Sequence, residues 1–185
     1  IYDNPDVDLT GTDVCQGAST GFHNLTTINN GSISSYAWNF GDAQASTQTN
    51  PAHNYSAPGQ YNVYLTAVSN QGCVGMDSTI VRVNPNPSVT FAGGFQGCAP
   101  LSAIFHDNSV ITNGNIAGWL WNFGDGAVST DQHPVHLFDD GGQYDVSLTV
   151  VSDLGCQASF TQAGAIRVFG QPLADFTADP LVTDI

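Results

Sequence analysis

The chain has 185 residues, room for one large or two small domains, and a formal net charge of −14 built from 16 acids, all of them aspartate, against two arginines, Arg82 and Arg167. Two isolated cations on so acidic a surface come close to excluding nucleic-acid binding, which needs clustered Lys or Arg for phosphate. The absence of lysine and glutamate beside 20 Gly and 9 Pro argues against helical bundles and α/β folds, while 41% hydrophobic residues support a core and oppose wholesale disorder.

No apolar run approaches the roughly 18 residues of a membrane span, and the residues from Ile1 onward do not read as a charged-then-apolar leader. The expectation is a soluble stretch cut from a longer chain. Cys15, Cys73, Cys98 and Cys156 lack the CxxC or CxxH spacing of metal and redox sites. Disulfides in an exported protein fit them better.

In chain order, Pro5-Asp6-Val7-Asp8-Leu9 opens a unit, and Asn24 falls just after a predicted second strand. Asn30-Gly31 marks a turn, since Asn and Gly take the positive φ that tight turns require. Tyr36-Ala37-Trp38-Asn39-Phe40-Gly41-Asp42 holds a strand with Trp38 and Phe40 on one face, and Asn50-Pro51-Ala52-His53-Asn54-Tyr55 comes next. After the Pro58-Gly59 turn, Tyr61, Val63, Leu65 and Ala67 alternate with Asn62, Tyr64, Thr66 and Val68, the period of a strand with one face on a core. Gln71-Gly72-Cys73 closes that strand. The proline-rich Asn84-Pro85-Asn86-Pro87 reads as a stiff linker.

The same series then recurs. Cys15 and Cys98, Trp38 and Trp121, and Cys73 and Cys156 all stand 83 positions apart. The second copy carries Trp119-Leu120-Trp121-Asn122-Phe123-Gly124-Asp125, His133-Pro134-Val135-His136-Leu137-Phe138, Gly142-Gln143-Tyr144-Asp145-Val146-Ser147-Leu148-Thr149 and Gly155-Cys156. Beyond the second cysteines the offset is 85, from Arg82 to Arg167, so a two-residue insertion falls in between. Pro172-Leu173-Ala174-Asp175-Phe176 matches the openings at Pro5 and Pro87. The expected layout is a tail or linker at 1–5, domain 1 at 6–84, a linker at 85–87, domain 2 at 88–170, and a linker with the start of a truncated third domain at 171–185. Short strands, frequent turns and a repeated tryptophan predict an all-β chain of tandem immunoglobulin-like antiparallel sandwiches in an elongated array. Trp38, Phe40, Tyr61, Trp121, Phe123 and Tyr144 are the predicted structural core. Because the repeat places each cysteine pair identically and independent units should not share a bridge, Cys15 is expected to bond Cys73, and Cys98 to bond Cys156.

Trp-Asn-Phe-Gly-Asp at 38–42 and 121–125, Pro-x-His-x-(Tyr/Phe) at 51–55 and 134–138, and Gly-x-Tyr-x-Val-x-Leu at 59–65 and 142–148 closely resemble the polycystic kidney disease (PKD) domain. The variant looks like that of large secreted surface proteins of the Bacteroidota, where a cysteine pair brackets each unit of a long array. The resemblance implies a seven-stranded sandwich used for spacing, adhesion or protein and glycan contact rather than catalysis. Ala43 departs from the familiar Gly-Asp-Gly turn that the second copy keeps at Gly126.

His53 and His136, with His23 and His106 as partners, are candidate acid–base groups. Their recurrence in each unit favours support of the fold, since catalysis needs a unique pocket. No Gly-x-Ser-x-Gly, His-Glu-x-x-His or phosphate loop occurs. Asp42 and Asp125, with Asn24 or Asp107 nearby, offer hard oxygens for calcium, which some PKD-like domains of bacterial collagenases bind. The competing reading has both aspartates bonding backbone amides of the turn. Asn24-Leu25-Thr26, Asn30-Gly31-Ser32 and Asn54-Tyr55-Ser56 match the glycosylation pattern, but the second copy lacks all three. Tyr36, Tyr64 and Trp119 are candidates for an exposed sugar-stacking platform; strand phase puts Trp119 with the core and leaves Tyr64 as the better surface candidate.

The resemblance implies a non-catalytic stalk or binding segment of an exported bacterial cell-surface adhesin. Its partners would be polysaccharide or a surface protein, and the secretion machinery during export. Type IX secretion, gliding motility or surface attachment are the settings a Bacteroidota origin would bring. The alternative is a substrate-binding accessory module of a secreted hydrolase such as a chitinase, collagenase or other protease.

Overall fold

The computed structural model describes residues 3–172 together with Asp175. The third domain expected from 171 lies outside the described residues except for Gln171, Pro172 and Asp175. Among the described residues every regular element is a strand. The chain forms two compact units: one holds the described residues up to Ser88 with Val110–Ala117 and Val150–Ala158, the other Val89–Ser109, Gly118–Thr149 and the described residues from Ser159 onward.

The first repeat is built from β1 (Leu9–Gly11), β2 (Val14–Cys15), β3 (Thr20–Asn24), β4 (Ile33–Asn39), β5 (Ala45–Ser46), β6 (Ala52–His53), β7 (Gly59–Ser69) and β8 (Val74–Asn84). Its two sheets run β1-β3-β6 and β2-β8-β7-β4-β5. The core consists of Leu9, Phe22, Trp38, Phe40, Tyr55, Val63, Leu65, Val81 and Val83, with Tyr36 and Tyr61 half-buried against it. The alternation of β7 explains the layering, because Val63, Leu65 and Ala67 turn inward and are fully buried while Asn62 and Tyr64 face solvent. Neighbouring β8 contributes Val81 and Val83 and turns Met76 and Ile80 outward.

The second repeat holds β9 (Phe91–Ala92), β10 (Phe95–Cys98), β11 (Leu101–Ile104), β12 (His106–Asp107), β13 (Ile116–Asn122), β14 (Val128–Ser129), β15 (Val135–Phe138), β16 (Gly142–Ser152) and β17 (Gln157–Phe169). Its large sheet, β10-β17-β16-β13-β14, has the order of the large sheet in the first repeat. The smaller sheet is divided into β12-β9 and β11-β15. Trp121, Phe105, Phe123, Phe138, Val146 and Leu148 are buried, and Tyr144, like Tyr61, is half-buried.

The chain closes one bridge, between Cys15 and Cys156, and leaves Cys73 half-buried and Cys98 exposed as free thiols. This corrects the expected pairing within each repeat, and strand geometry gives the reason. Short β2 runs parallel to β8 and sets Cys15 beside Asn84, the last residue of that strand, whereas Cys73 immediately precedes its first residue, Val74. Eleven residues of strand span roughly 36 Å at about 3.3 Å each. A disulfide needs Cα atoms about 4.4–6.8 Å apart. Likewise β10 sets Cys98 beside Phe169 at the end of β17, and Cys156 precedes its start at Gln157. Cys15 and Cys156, 141 positions apart in sequence, have their Cα atoms 5.5 Å apart, and both belong to the first compact unit.

Candidate functional site

The repeated Trp-Asn-Phe-Gly-Asp segment leaves β4 and enters a tight turn that its own side chains hold. The Asn39 side-chain oxygen accepts the Gly41 amide at 2.9 Å, and Asp42 Oδ1 accepts the Gln44 amide at 3.1 Å. Gly41 takes φ 83°, and a Cβ there would lie 2.6 Å from the Asn62 carbonyl oxygen, so both conformation and space demand glycine. The second repeat makes the same bonds from Asn122 to Gly124 and from Asp125 to Ala127, at 2.9 and 3.0 Å. Trp38 Nε1 donates to the Gln48 carbonyl and Trp121 Nε1 to that of Asp131, each at 2.9 Å, which satisfies the one polar atom of an otherwise apolar buried ring.

The second motif supplies the partner of the turn aspartate. His53 Nε2 lies 2.8 Å from Asp42 Oδ2, and His136 Nε2 lies 2.6 Å from Asp125 Oδ2. Each imidazole stacks on the phenylalanine of its own turn, Phe40 or Phe123, with ring centres 4.1 Å apart, and meets Tyr55 or Phe138 edge-on. Partial burial works against ionisation of Asp42. The hydrogen bond from His53, the Gln44 amide and the positive charge of His53 outweigh it, and the carboxyl sits below the ordinary aspartate value. Asp125 is lowered in the same way by His136 and Ala127, against the same burial.

His23 and His106, expected as partners of His53 and His136, are exposed, and the aspartates take their place. The carboxylates stay partly open to solvent, but each oxygen is already engaged. One carboxylate oxygen holds a backbone amide and the other an imidazole, so the group fastens a turn to a strand. Calcium usually takes 6–8 oxygens. Asp42 and Asp125 each bring one carboxylate already engaged by donors, and among the described residues no group of three or more His, Cys or Asp is placed to hold a metal. The donor set does not fit calcium.

A second cluster occurs in one repeat only. Buried Asp107 accepts Trp119 Nε1 at 2.7 Å and Gln132 Nε2 at 3.4 Å on Oδ2 and the Ser109 amide at 2.9 Å on Oδ1, while its own amide donates to His133 Nδ1 at 3.1 Å. Burial would raise its pKa. The donors from Ser109, Trp119 and Gln132 hold it below the ordinary value instead. The first repeat has Asn24, Tyr36 and Asn50 at the matching positions, and there the Asn24 amide donates to Asn50 Oδ1. Strand phase missed this cluster and placed Trp119 in the core. The joint change at three matched positions was its one signal. Trp119 is half-buried, and Tyr64 is 40% exposed.

A shallow concavity of about 220 Å³ in the first unit is lined by Pro58, Gly59, Gln60, Arg82, Val83, Asn84, Pro85, Thr112 and Asn113. It offers a single ionisable group, Arg82, and no acid–base pair.

Strand order, the buried tryptophan and the tyrosine hydroxyls that bond back across a corner, Tyr61 to the Ala57 carbonyl and Tyr144 to that of Asp140, define two immunoglobulin-like β-sandwich repeats. A family model described as PKD domain matches residues 2–83 and again 84–168. The chain belongs to the PKD domain family, whose members are non-catalytic immunoglobulin-like modules. It is 26% identical over 147 residues to the pre-pro-metalloprotease PrtV of Vibrio cholerae, which covers 79% of this chain and 16% of that protein. To the collagenase ColA of Bacillus cereus it is 28% identical over 128 residues, 69% of this chain and 12% of that one. The chain thus spans less than a fifth of these curated relatives. Among solved structures it is similar to the PKD1 domain of Vibrio anguillarum Epp, at 28% identity and TM-score 0.42, covering 45% of this chain and 96% of that domain.

Proposed function

We propose that the chain is a non-catalytic stalk and binding segment of a large exported bacterial surface adhesin. The repeats fall at 6–84 and 88–170, joined through 85–87. The observation that carries this reading is the bridge from Cys15 to Cys156, a covalent tie between consecutive repeats that a spacer under tension uses and a freely hinged module does not need. The bridge also supports an extracellular location, since structural disulfides persist in oxidising compartments. Consumption of the repeated Asp–His pairs within their own turns supports a scaffold role. Aspartate-rich surfaces repel one another and keep such a segment soluble. A Bacteroidota host, type IX export, gliding or attachment, and polysaccharide or a surface protein as partner complete the reading.

Similarity to PrtV and to collagenase ColA favours a second reading, a substrate-binding accessory module of a secreted hydrolase. Antibodies against this chain, applied to intact and fractionated host cells, separate the two. The adhesin reading expects surface labelling on a polypeptide many repeats long and free of protease activity. Recovery of the labelled polypeptide from the medium with gelatin- or chitin-degrading activity would replace it with the hydrolase reading.

A further inference from the structure

The bonded and the free cysteines occupy the same backbone settings. Cys15 sits at the end of β2 beside Asn84, with the Gln16 amide donating to the Asn84 carbonyl at 2.8 Å and Asn86 Nδ2 donating to the Gln16 carbonyl at 3.0 Å. Cys98 sits at the end of β10 beside Phe169, with the Ala99 amide on the Phe169 carbonyl at 2.9 Å and Gln171 Nε2 on the Ala99 carbonyl at 3.0 Å. The second cysteines match as closely. The Cys73 amide donates to Ser69 Oγ and the Cys156 amide to Ser152 Oγ, both at 3.1 Å, and the Ser69 and Ser152 amides return bonds to the two cysteine carbonyls at 2.9 and 2.8 Å. Backbone pairing and hydrogen bonds do not separate the bonded cysteine of each kind from the free one. Inside a repeat the two cysteines stand at opposite ends of the last long strand, beyond disulfide reach.

We propose that Cys98 and Cys73 are the two open halves of the bridge seen between Cys15 and Cys156. Cys98 bonds the second cysteine of a PKD repeat that comes after it, and Cys73 bonds the first cysteine of one that precedes. Each repeat in a series then carries two covalent ties, one to each neighbour, and the series is stapled along its length. Each closure joins two thiols into one S–S bond with loss of two protons and two electrons. A small disulfide oxidant such as glutathione disulfide takes these up and becomes two thiols. The inference rests on PKD repeats standing in series, which either reading of the function allows, so its outcome is independent of where the protein is displayed.

Two measurements test it, both made in glutathione redox buffer and read by non-reducing peptide mapping with thiol labelling. In the 185-residue chain, Cys15 and Cys156 should be joined while Cys73 and Cys98 take label; Cys15→Ser should leave Cys156 labelled as well. A Cys98–Cys156 bond that survives Cys15→Ser would overturn the proposal. In the same chain with residues 84–168 duplicated directly after Val168, so that the new repeat follows without a gap as the second follows the first, Cys98 should lose its label and map to the duplicate of Cys156, while Cys73 stays free. A Cys98 that remains labelled, or that maps to any other cysteine, while Cys15–Cys156 is formed would overturn it equally.

Discussion

At the turn after the buried tryptophan, the first repeat holds Ala43 at φ 69° where the second holds Gly126 at φ 97°. At the matching edge sites, Asn24, Tyr36 and Asn50 stand against Asp107, Trp119 and His133. Tyr55 in the first repeat donates its hydroxyl to the Phe40 carbonyl at 3.1 Å, and Phe138 in the second has no hydroxyl to give. Against these differences, the tryptophan with its backbone acceptor, the Asn and Asp side-chain turns and the stacked imidazole on its carboxylate are common to both. Groups that hold the turn against the core are shared. The edge polar groups vary, because several donor and acceptor sets satisfy the same backbone there.

The shared tryptophan carries the largest expected effect. Trp38→Ala and Trp121→Ala should each cost about 3–5 kcal/mol, since a buried indole leaves a cavity that a close-packed sandwich cannot refill. Chemical denaturation followed by tyrosine fluorescence reads both, and a loss in one repeat several times that in the other would break the equivalence.

Next come the imidazole–carboxylate pairs. Asp42→Asn or Asp125→Asn should cost about 1.5–3 kcal/mol near neutral pH, the range for hydrogen bonds to charged groups. Folding holds both carboxyl pKa values below the ordinary value of 3.8. Their contribution is therefore present above that value and is lost as the pH falls through the lower folded values. Melting temperatures of wild type and variants should draw together as the pH falls below 3.8. A gap that did not narrow with acidification would show the aspartates acting through shape rather than charge.

A smaller pair of opposite sign sharpens the comparison at the turn. Ala43→Gly should stabilise, and Gly126→Ala should destabilise, each by about 1–2 kcal/mol, because a left-handed conformation crowds Cβ against the backbone. A Cβ at Gly126 meets no neighbour within 4 Å, so the effect belongs to the backbone alone. Equal signs in thermal unfolding would refute that account. Smallest is Tyr55→Phe, which converts the first repeat to the Phe138 solution and should cost about 0.5–1.5 kcal/mol for a carbonyl left unpaired. No change in midpoint would show that the Phe40 carbonyl finds another donor.

The repeat, its all-β class and its sandwich were legible in the chain, because alternation along 61–68 and 144–150 and matched turn residues depend on local conformation and on which face meets water. The Asp42 and Asp125 turns were legible as a motif, but their histidine partners were not. A carboxylate and an imidazole 11 positions apart meet only because β6 and the turn after β4 face each other across the folded repeat. Likewise the three substitutions behind the Asp107 cluster are scattered over 107, 119 and 133, and only the folded edge brings them together.

Sequence by itself determined the features set by short-range chemistry: strand period, turn positions, the repeated tryptophan and the absence of helix-forming composition. The tertiary structure decided the pairing of the cysteines. Repeat symmetry made Cys15 with Cys73 the natural pair, yet bonding is a matter of ångströms, not of spacing along the chain. A strand of 11 residues holds those two sulfurs at opposite ends, and the fold brings Cys15 instead to Cys156 with their Cα atoms 5.5 Å apart.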